Sequence, residues 1–245
     1  MSTLLEDVLE AHGGLQRWQQ MWSLQAELSI GGLLWDLKCR SESVAKMKIH
    51  ASVHEQHVEI HLEADKKRIY FSPQEVRVET EDGIPLEQRS DARADFKGQS
   101  LRSPWSDAQV GYFNGYALWQ YLTAPFLYSY PGFQVEEVDP WQEGEETWRV
   151  LKIVFPEHIV AHTRVQYAYY GSDGLLRRHQ YTVDVMDGAS GVNYAEGYQN
   201  VDGILVATRR RVYSFDRDFR KIPEPLLVSI DIDRVELASD SMSWR

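Results

Sequence analysis

The sequence predicts a mainly β (α+β) protein in which an antiparallel sheet wraps around one central apolar helix, with short helices at the N-terminus. Three observations carry this reading. Residues 107–126 crowd Tyr112, Phe113, Tyr116, Trp119 and Tyr121 together with Val110, Ala117, Leu118 and Leu122, interrupted over 110–122 only by Asn114, Gln120 and two glycines. A helix apolar almost all round must be covered on most of its sides. Nearly every other periodic segment alternates apolar and polar residues with period two, the pattern of a half-buried strand. Short turn signals separate the last five of these segments, namely Gly-Ser-Asp-Gly, Asp-Gly-Ala-Ser-Gly, Asp-Gly and Asp-Arg-Asp, so they are read as hairpin connections of an antiparallel meander.

Taken in order, Thr3-x-x-Glu6 forms a capping box for a first helix carrying Leu4, Leu5, Val8 and Leu9, which Gly13-Gly14 ends. A second short helix over 15–21 turns Trp18 and Met21 inward. Leu24, Ala26, Leu28 and Ile30 then define a strand, Gly31-Gly32 a hairpin turn, and Leu33, Trp35, Leu37 and Cys39 the inward set of the return strand. Further strands are expected at 44–49, 57–63, 68–71 and 75–80, a loop at 87–107, and the central helix with its exit at 108–130. Gly111 and Gly115 are four apart and share a face on which another backbone can approach. Strands resume at 133–138, 148–155, 165–170, 175–186, 192–200, 204–215 and 226–237. The organisation expected is one domain over 1–245: helices to 22, a first meander over 23–86, the loop, the central helix, and a second meander over 131–245.

At 43% hydrophobic and 12% aromatic the chain has ample material for a large core. Its formal net charge of −11 disfavours nucleic acid and anionic membranes as partners. The single cysteine, Cys39, allows no internal disulfide and no thiolate zinc site, and its place in the inward set marks it as an inert core thiol. The N-terminal residues carry early acids and no basic segment or long apolar run, and no run is long enough to span a bilayer, so a cytoplasmic protein is expected. No P-loop, dinucleotide fingerprint or Gly-x-Ser-x-Gly elbow is present, and no cofactor is expected.

The run Ala11-His-Gly-Gly-Leu-Gln-Arg-Trp followed by alternating strands resembles the lipoprotein-localisation-factor (LolA-like) superfamily. That resemblance implies a strongly curved half-barrel, closed over helices with a hydrophobic cavity between. The Tyr112-Phe113-x-Gly115-Tyr116-Ala117-Leu118-Trp119 helix, Gly174-Leu-Leu-Arg-Arg-His179 and Thr208-Arg-Arg-Arg are similar to an uncharacterised bacterial family. The chain departs from the lipoprotein carriers in its N-terminal residues, so periplasmic shuttling is not carried over.

Candidate site residues come from strand alternation. If residues 171–174 form a four-residue loop, Tyr170 pairs with Leu175, Gln166 with His179 and Arg164 with Tyr181. His162, Arg164, Gln166, Arg177, His179 and Tyr181 then share one face, which is either the wet side of the sheet or a cluster able to bind a carboxylate or transfer protons. His57, Glu59 and His61 project alike from a strand and form a weak metal candidate, against a solvated edge strand. Glu157-His158-x-x-x-His162 reads as loop rather than zinc site. In Thr208-Arg209-Arg210-Arg211, Arg210 points opposite to Arg209 and Arg211, so there is no continuous basic patch. The arginines either pair with acids on neighbouring strands such as Glu196 or Asp231, or one of them, Arg210, faces the cavity and anchors an acidic head group. Tyr112, Phe113, Tyr116 and Trp119 are the aromatic ligand-binding candidates; buried phenols and indoles need partners.

Binding of a hydrophobic or amphipathic small molecule is the first reading. A cofactor-independent cyclase, isomerase or lyase using the His162, His179, Tyr181 and Arg164 group is the second. A homodimer through an edge strand such as 57–63 is the third.

Overall fold

The computed structural model describes residues 2–239. In chain order its elements are α1 (Leu4–Ala11), α2 (Leu15–Trp18), β1 (Ser23–Gly31), α3 (Leu33–Leu37), α4 (Ser41–Val44), β2 (Met47–Ser52), β3 (Val58–Leu62), β4 (Lys67–Phe71), β5 (Val76–Thr80) and β6 (Pro85–Arg89). The central helix α5 (Asp107–Thr123) follows, then β7 (Gln134–Glu143), β8 (Glu146–Val154), β9 (Val165–Tyr170), β10 (Leu176–Val183), β11 (Ala189–Val201), β12 (Ile204–Phe215), β13 (Lys221–Ile222) and β14 (Val228–Ala238).

The strands form one curved, open antiparallel sheet in the order β6-β5-β4-β3-β2-β1-β14-β12-β11-β10-β9-β8-β7, with β13 paired to β12. Two meanders are therefore joined where the first strand meets the last, Ser23 opposite Ala238 and Gly31 opposite Ser229. The helix α5 links the two free edges, and every residue from Ala108 to Thr123 is buried.

Burying a helix on all sides requires a partner for each orphan group at its ends. At the N-terminus Ser106 and Gln109 complete a capping box. Asp107 lies in the first turn, where a negative charge suits the helix dipole, and bonds to Lys67 at 2.6 Å and to Arg40. Burial raises its carboxyl, but Lys67 and Arg40 outweigh this and hold it below the ordinary carboxylate range. The last turn of α5 holds no basic residue. Arg210 of β12 supplies one, donating from Nη2 to the Tyr121 carbonyl at 2.7 Å.

One face of α5 packs on β3, β4 and β5. A Cβ at Gly111 would meet Ile69 at 2.2 Å, and one at Gly115 would meet the Phe71 ring at 2.3 Å. The close approach expected of these glycines is thus made by sheet side chains rather than by backbone.

Four expectations are corrected. Gly31-Gly32 does not turn a hairpin: Gly32 has φ +105 and the chain continues into α3, with Leu33 N–H and Leu34 N–H bonded to the carbonyls of Leu226 and Leu227. The run Leu33-Leu34-Trp35 fits both periods, and it is Leu34 and Trp35 that are buried. Cys39 is accordingly exposed, just past the end of α3, and is not a core thiol. The segment 57–63 is no edge strand, because β3 lies between β2 and β4; the free edges are β6 and β7. The predicted register of β9 with β10 slips by two residues: His179 faces Ala168, after a bulge between Leu176 and Arg178.

Replacing Gly by Ala in an open helix interior stabilises by about 1 kcal/mol. Gly115→Ala is predicted to reverse that sign and destabilise by roughly 1–3 kcal/mol, because the methyl overlaps Phe71. Chemical denaturation measures it, and a neutral or stabilising result would contradict the packing.

Candidate functional site

A second face of α5 borders an apolar cavity of about 380 Å³ between the helix, α3 and strands β10, β12 and β14. Asn114, Ala117, Leu118 and Tyr121 reach it from α5 at positions i, i+3, i+4 and i+7, together with Phe113. Leu34 and Trp35 close one side, and Val212 and Ile230 the sheet side. None of the described residues lining it is charged.

Its polar wall, made by His162, Tyr121 and Tyr181, belongs to a chain of four neutral groups that Tyr116 completes from behind. The Tyr116 hydroxyl lies 3.1 Å from His162 Nδ1, and the Tyr121 hydroxyl 2.8 Å from His162 Nε2 and 2.6 Å from the Tyr181 hydroxyl. The Tyr181 ring stacks on His162 with centroids 4.1 Å apart. Burial pushes His162 down to about 3 and lifts the Tyr116 and Tyr181 phenols well above their ordinary value. Burial is the largest influence on Tyr121 and raises it as well.

The remaining candidates divide sharply. His179 and Gln166 are buried and converge on Gln120, whose Nε2 lies 2.6 Å from Gln166 Oε1 and 3.2 Å from His179 Nε2. Burial, helped by Arg210 and His162, drives His179 well below the ordinary histidine range. Arg210 sits behind Tyr121, its guanidinium 4.9 Å from that ring, with Nε and Nη1 unpartnered; it does not line the cavity. Trp119 is sequestered by its bond to the Ser52 carbonyl at 2.8 Å.

Arg164 does not join the cluster at all. It is exposed and pairs with Glu157 at 2.9 Å. Arg177 pairs with Asp173 at 2.5 Å on the outside. Tyr112 and Arg164 border instead a polar, open groove of about 500 Å³, where Arg93 bonds to Asp184 at 2.9 Å. The flanking arginines of β12 take the acids expected of them, Arg209 with Glu196 at 3.6 Å and Arg211 with Asp231 at 2.8 Å.

His61 bonds to Glu59 at 2.8 Å, and His57 lies 3.3 Å from Glu55. Among the described residues no three His, Cys, Asp or Glu side chains are arranged to hold a metal ion. Sequence reasoning missed Tyr121, Asn114 and the α3 pair Leu34 and Trp35 as site residues. The i, i+3, i+4, i+7 spacing from Asn114 was a usable signal for the helix face; α3 gave none while it was read as a strand.

These features define a LolA-like fold: an incomplete antiparallel barrel closed over a buried helix, with an apolar cavity beside it. The chain is similar over nearly its whole length to solved structures of that kind. One is a LolA superfamily protein from Nitrosomonas europaea, 9% identical, covering 97% of this chain and 94% of that one with a TM-score of 0.53. A DUF1329 family protein from Desulfovibrio piger is 10% identical, with 96% and 94% covered and a TM-score of 0.51. A Vibrio parahaemolyticus domain, provisionally named as outer membrane lipoprotein-sorting, is 7% identical, with 96% and 90% covered and a TM-score of 0.50. At such identities the likeness concerns the fold alone. No family model matches the chain, and no curated protein matches it. Among the described residues no helix is long and apolar enough to cross a membrane.

The buried histidines carry a stability prediction. His162 at about 3 and His12 at about 4 lie below the ordinary value near 6.5, so between these limits the unfolded chain binds more protons than the folded one. Stability is fully present above pH 6.5 and falls with pH, by about 1 kcal/mol per unit for each group. His162→Gln is predicted to flatten the dependence between pH 6 and 4 in urea titrations; an unchanged slope would contradict a neutral, desolvated imidazole.

Proposed function

We propose that this protein binds an apolar small molecule, such as an acyl chain, in the cavity beside α5. The observation that carries this reading is a space of about 380 Å³ bounded by aliphatic and aromatic side chains with no charged group among the described residues lining it. Well-packed interiors contain few voids larger than a water, whereas ligand pockets begin at about 300 Å³ and are mostly apolar with a few placed polar groups. The fold supports the reading by analogy, since one structural neighbour bears a name connected with lipoprotein sorting.

The catalytic alternative is less well supported by the same groups. A general base works best with a pKa near the operating pH. Burial holds His162 at about 3 and His179 well below the usual range, so both are weak bases at neutral pH.

Ala117 faces the cavity from the middle of α5. Ala117→Trp is predicted to fill it and weaken binding of the neutral dye N-phenyl-1-naphthylamine at least tenfold, read by dye fluorescence, while circular dichroism shows the fold retained. Equal dye affinity in a folded variant would place binding elsewhere and end this proposal.

A further inference from the structure

The phenol–imidazole chain has a donor to spare. Its members Tyr116, His162, Tyr121 and Tyr181 are neutral and carry four N–H or O–H donors, three hydroxyl and one imidazole, joined by three hydrogen bonds. One donor is left at one end. If the chain ran from Tyr181 toward Tyr116, the surplus hydroxyl hydrogen would sit on Tyr116, which is fully buried, does not line the cavity, and has His162 Nδ1 as its hydrogen-bond partner. A buried donor left unmade costs about 1–3 kcal/mol. The opposite polarity avoids this: Tyr116 O–H donates to Nδ1, Nε2–H donates to the Tyr121 oxygen, and Tyr121 O–H donates to the Tyr181 oxygen. The surplus hydrogen is then on Tyr181, which lines the cavity. The Tyr116 end thus assigns the His162 tautomer, and the direction beyond it follows from geometry. Asn193 also approaches Tyr121, but its Oδ1 makes no hydrogen bond, whereas the Tyr181 oxygen lies 2.6 Å from the Tyr121 hydroxyl.

We infer that Tyr181 is a specificity residue: its hydroxyl donates to an uncharged oxygen acceptor, an ester or ketone carbonyl, on the ligand in the α5 cavity. The inference rests on the binding reading above and adds the chemistry of the ligand's polar end. An anionic acceptor is disfavoured because no charged residue among those described borders the cavity to compensate it. Two buried cations near this region are engaged elsewhere: Arg210 with the Tyr121 carbonyl behind the aromatic wall, and Lys38 with the Ser100 carbonyl at 3.1 Å. A ligand ammonium is disfavoured for the same reason, and because the exposed end of the chain offers a hydrogen rather than a lone pair.

The test uses two probes of matched length, methyl decanoate and dodecane, each displacing N-phenyl-1-naphthylamine from the full chain and from Tyr181→Phe. The variant is expected to lose two- to tenfold in affinity for the ester and nothing for the hydrocarbon, the range of one neutral hydrogen bond at roughly 0.5–1.5 kcal/mol. Equal losses for both probes, or no loss for either, would overturn the inference while leaving the cavity's occupancy standing. Failure of the dye and both probes to bind the unmodified chain would overturn the binding reading and this inference together. A readout that needs no variant is the infrared carbonyl band of the bound ester. It should lie at lower frequency than in hydrocarbon solvent, and an unshifted band would also overturn the assignment.

Discussion

Enclosing α5 completely is the constraint on which the remaining structure depends. In water its peptide groups and phenols would find partners anywhere; inside the sheet each must be met at one fixed place. Asp107 is met by β4 and the α3–α4 turn, Trp119 by the end of β2, and the Tyr121 carbonyl by β12. These anchors come from both meanders, so they set the rotation of the helix as well as its depth. The glycine face then lies against β4, where nothing larger fits. The Asn114–Tyr121 face is left looking toward β10–β14, where small residues such as Ala189, Ser190, Gly191 and Ser214 line the cavity.

Charge is handled differently at the rim and in the interior. Outward arginines find carboxylates, as Arg209, Arg211 and Arg164 do. On the outer face Arg178 is wholly buried between the Trp141 and Tyr169 rings, 4.7 Å from each, and bonds to Gln180 and the Phe219 carbonyl at 2.6 Å. The cavity wall contains none of this. Its imidazole and phenols are desolvated into their neutral forms, which suits recognition of an uncharged group and suits proton transfer at neutral pH poorly.

The fold was largely legible because the two signals involved are long ones. A helix of 17 residues with no polar face, and strands of alternating pattern separated by glycine turns, leave few ways to bury everything. Short segments were not legible: five residues at Leu33–Leu37 satisfy a strand pattern and a helix pattern equally, and that ambiguity hid α3 and with it one wall of the site. The cluster on β9 and β10 was partly right for a physical reason. The register slipped by two residues, which preserves the face, so His179, Gln166 and Tyr181 still point inward. Arg164 precedes β9 and Arg177 sits in the bulge, outside the regular alternation; Arg164 is exposed and Arg177 is half-buried against Asp173, and neither joins the cluster. Arg210 was correctly placed inside, but sequence does not reveal that a helix terminus would occupy it.

The most direct test of the central claim is a crystal structure with a bromine-terminated long-chain methyl ester, located by its anomalous signal. The account predicts a single peak within the space between Ala117, Trp35 and Val212. A peak confined to the polar groove beside Arg93 and Arg164, or an absent peak at concentrations that saturate binding in solution, would contradict it.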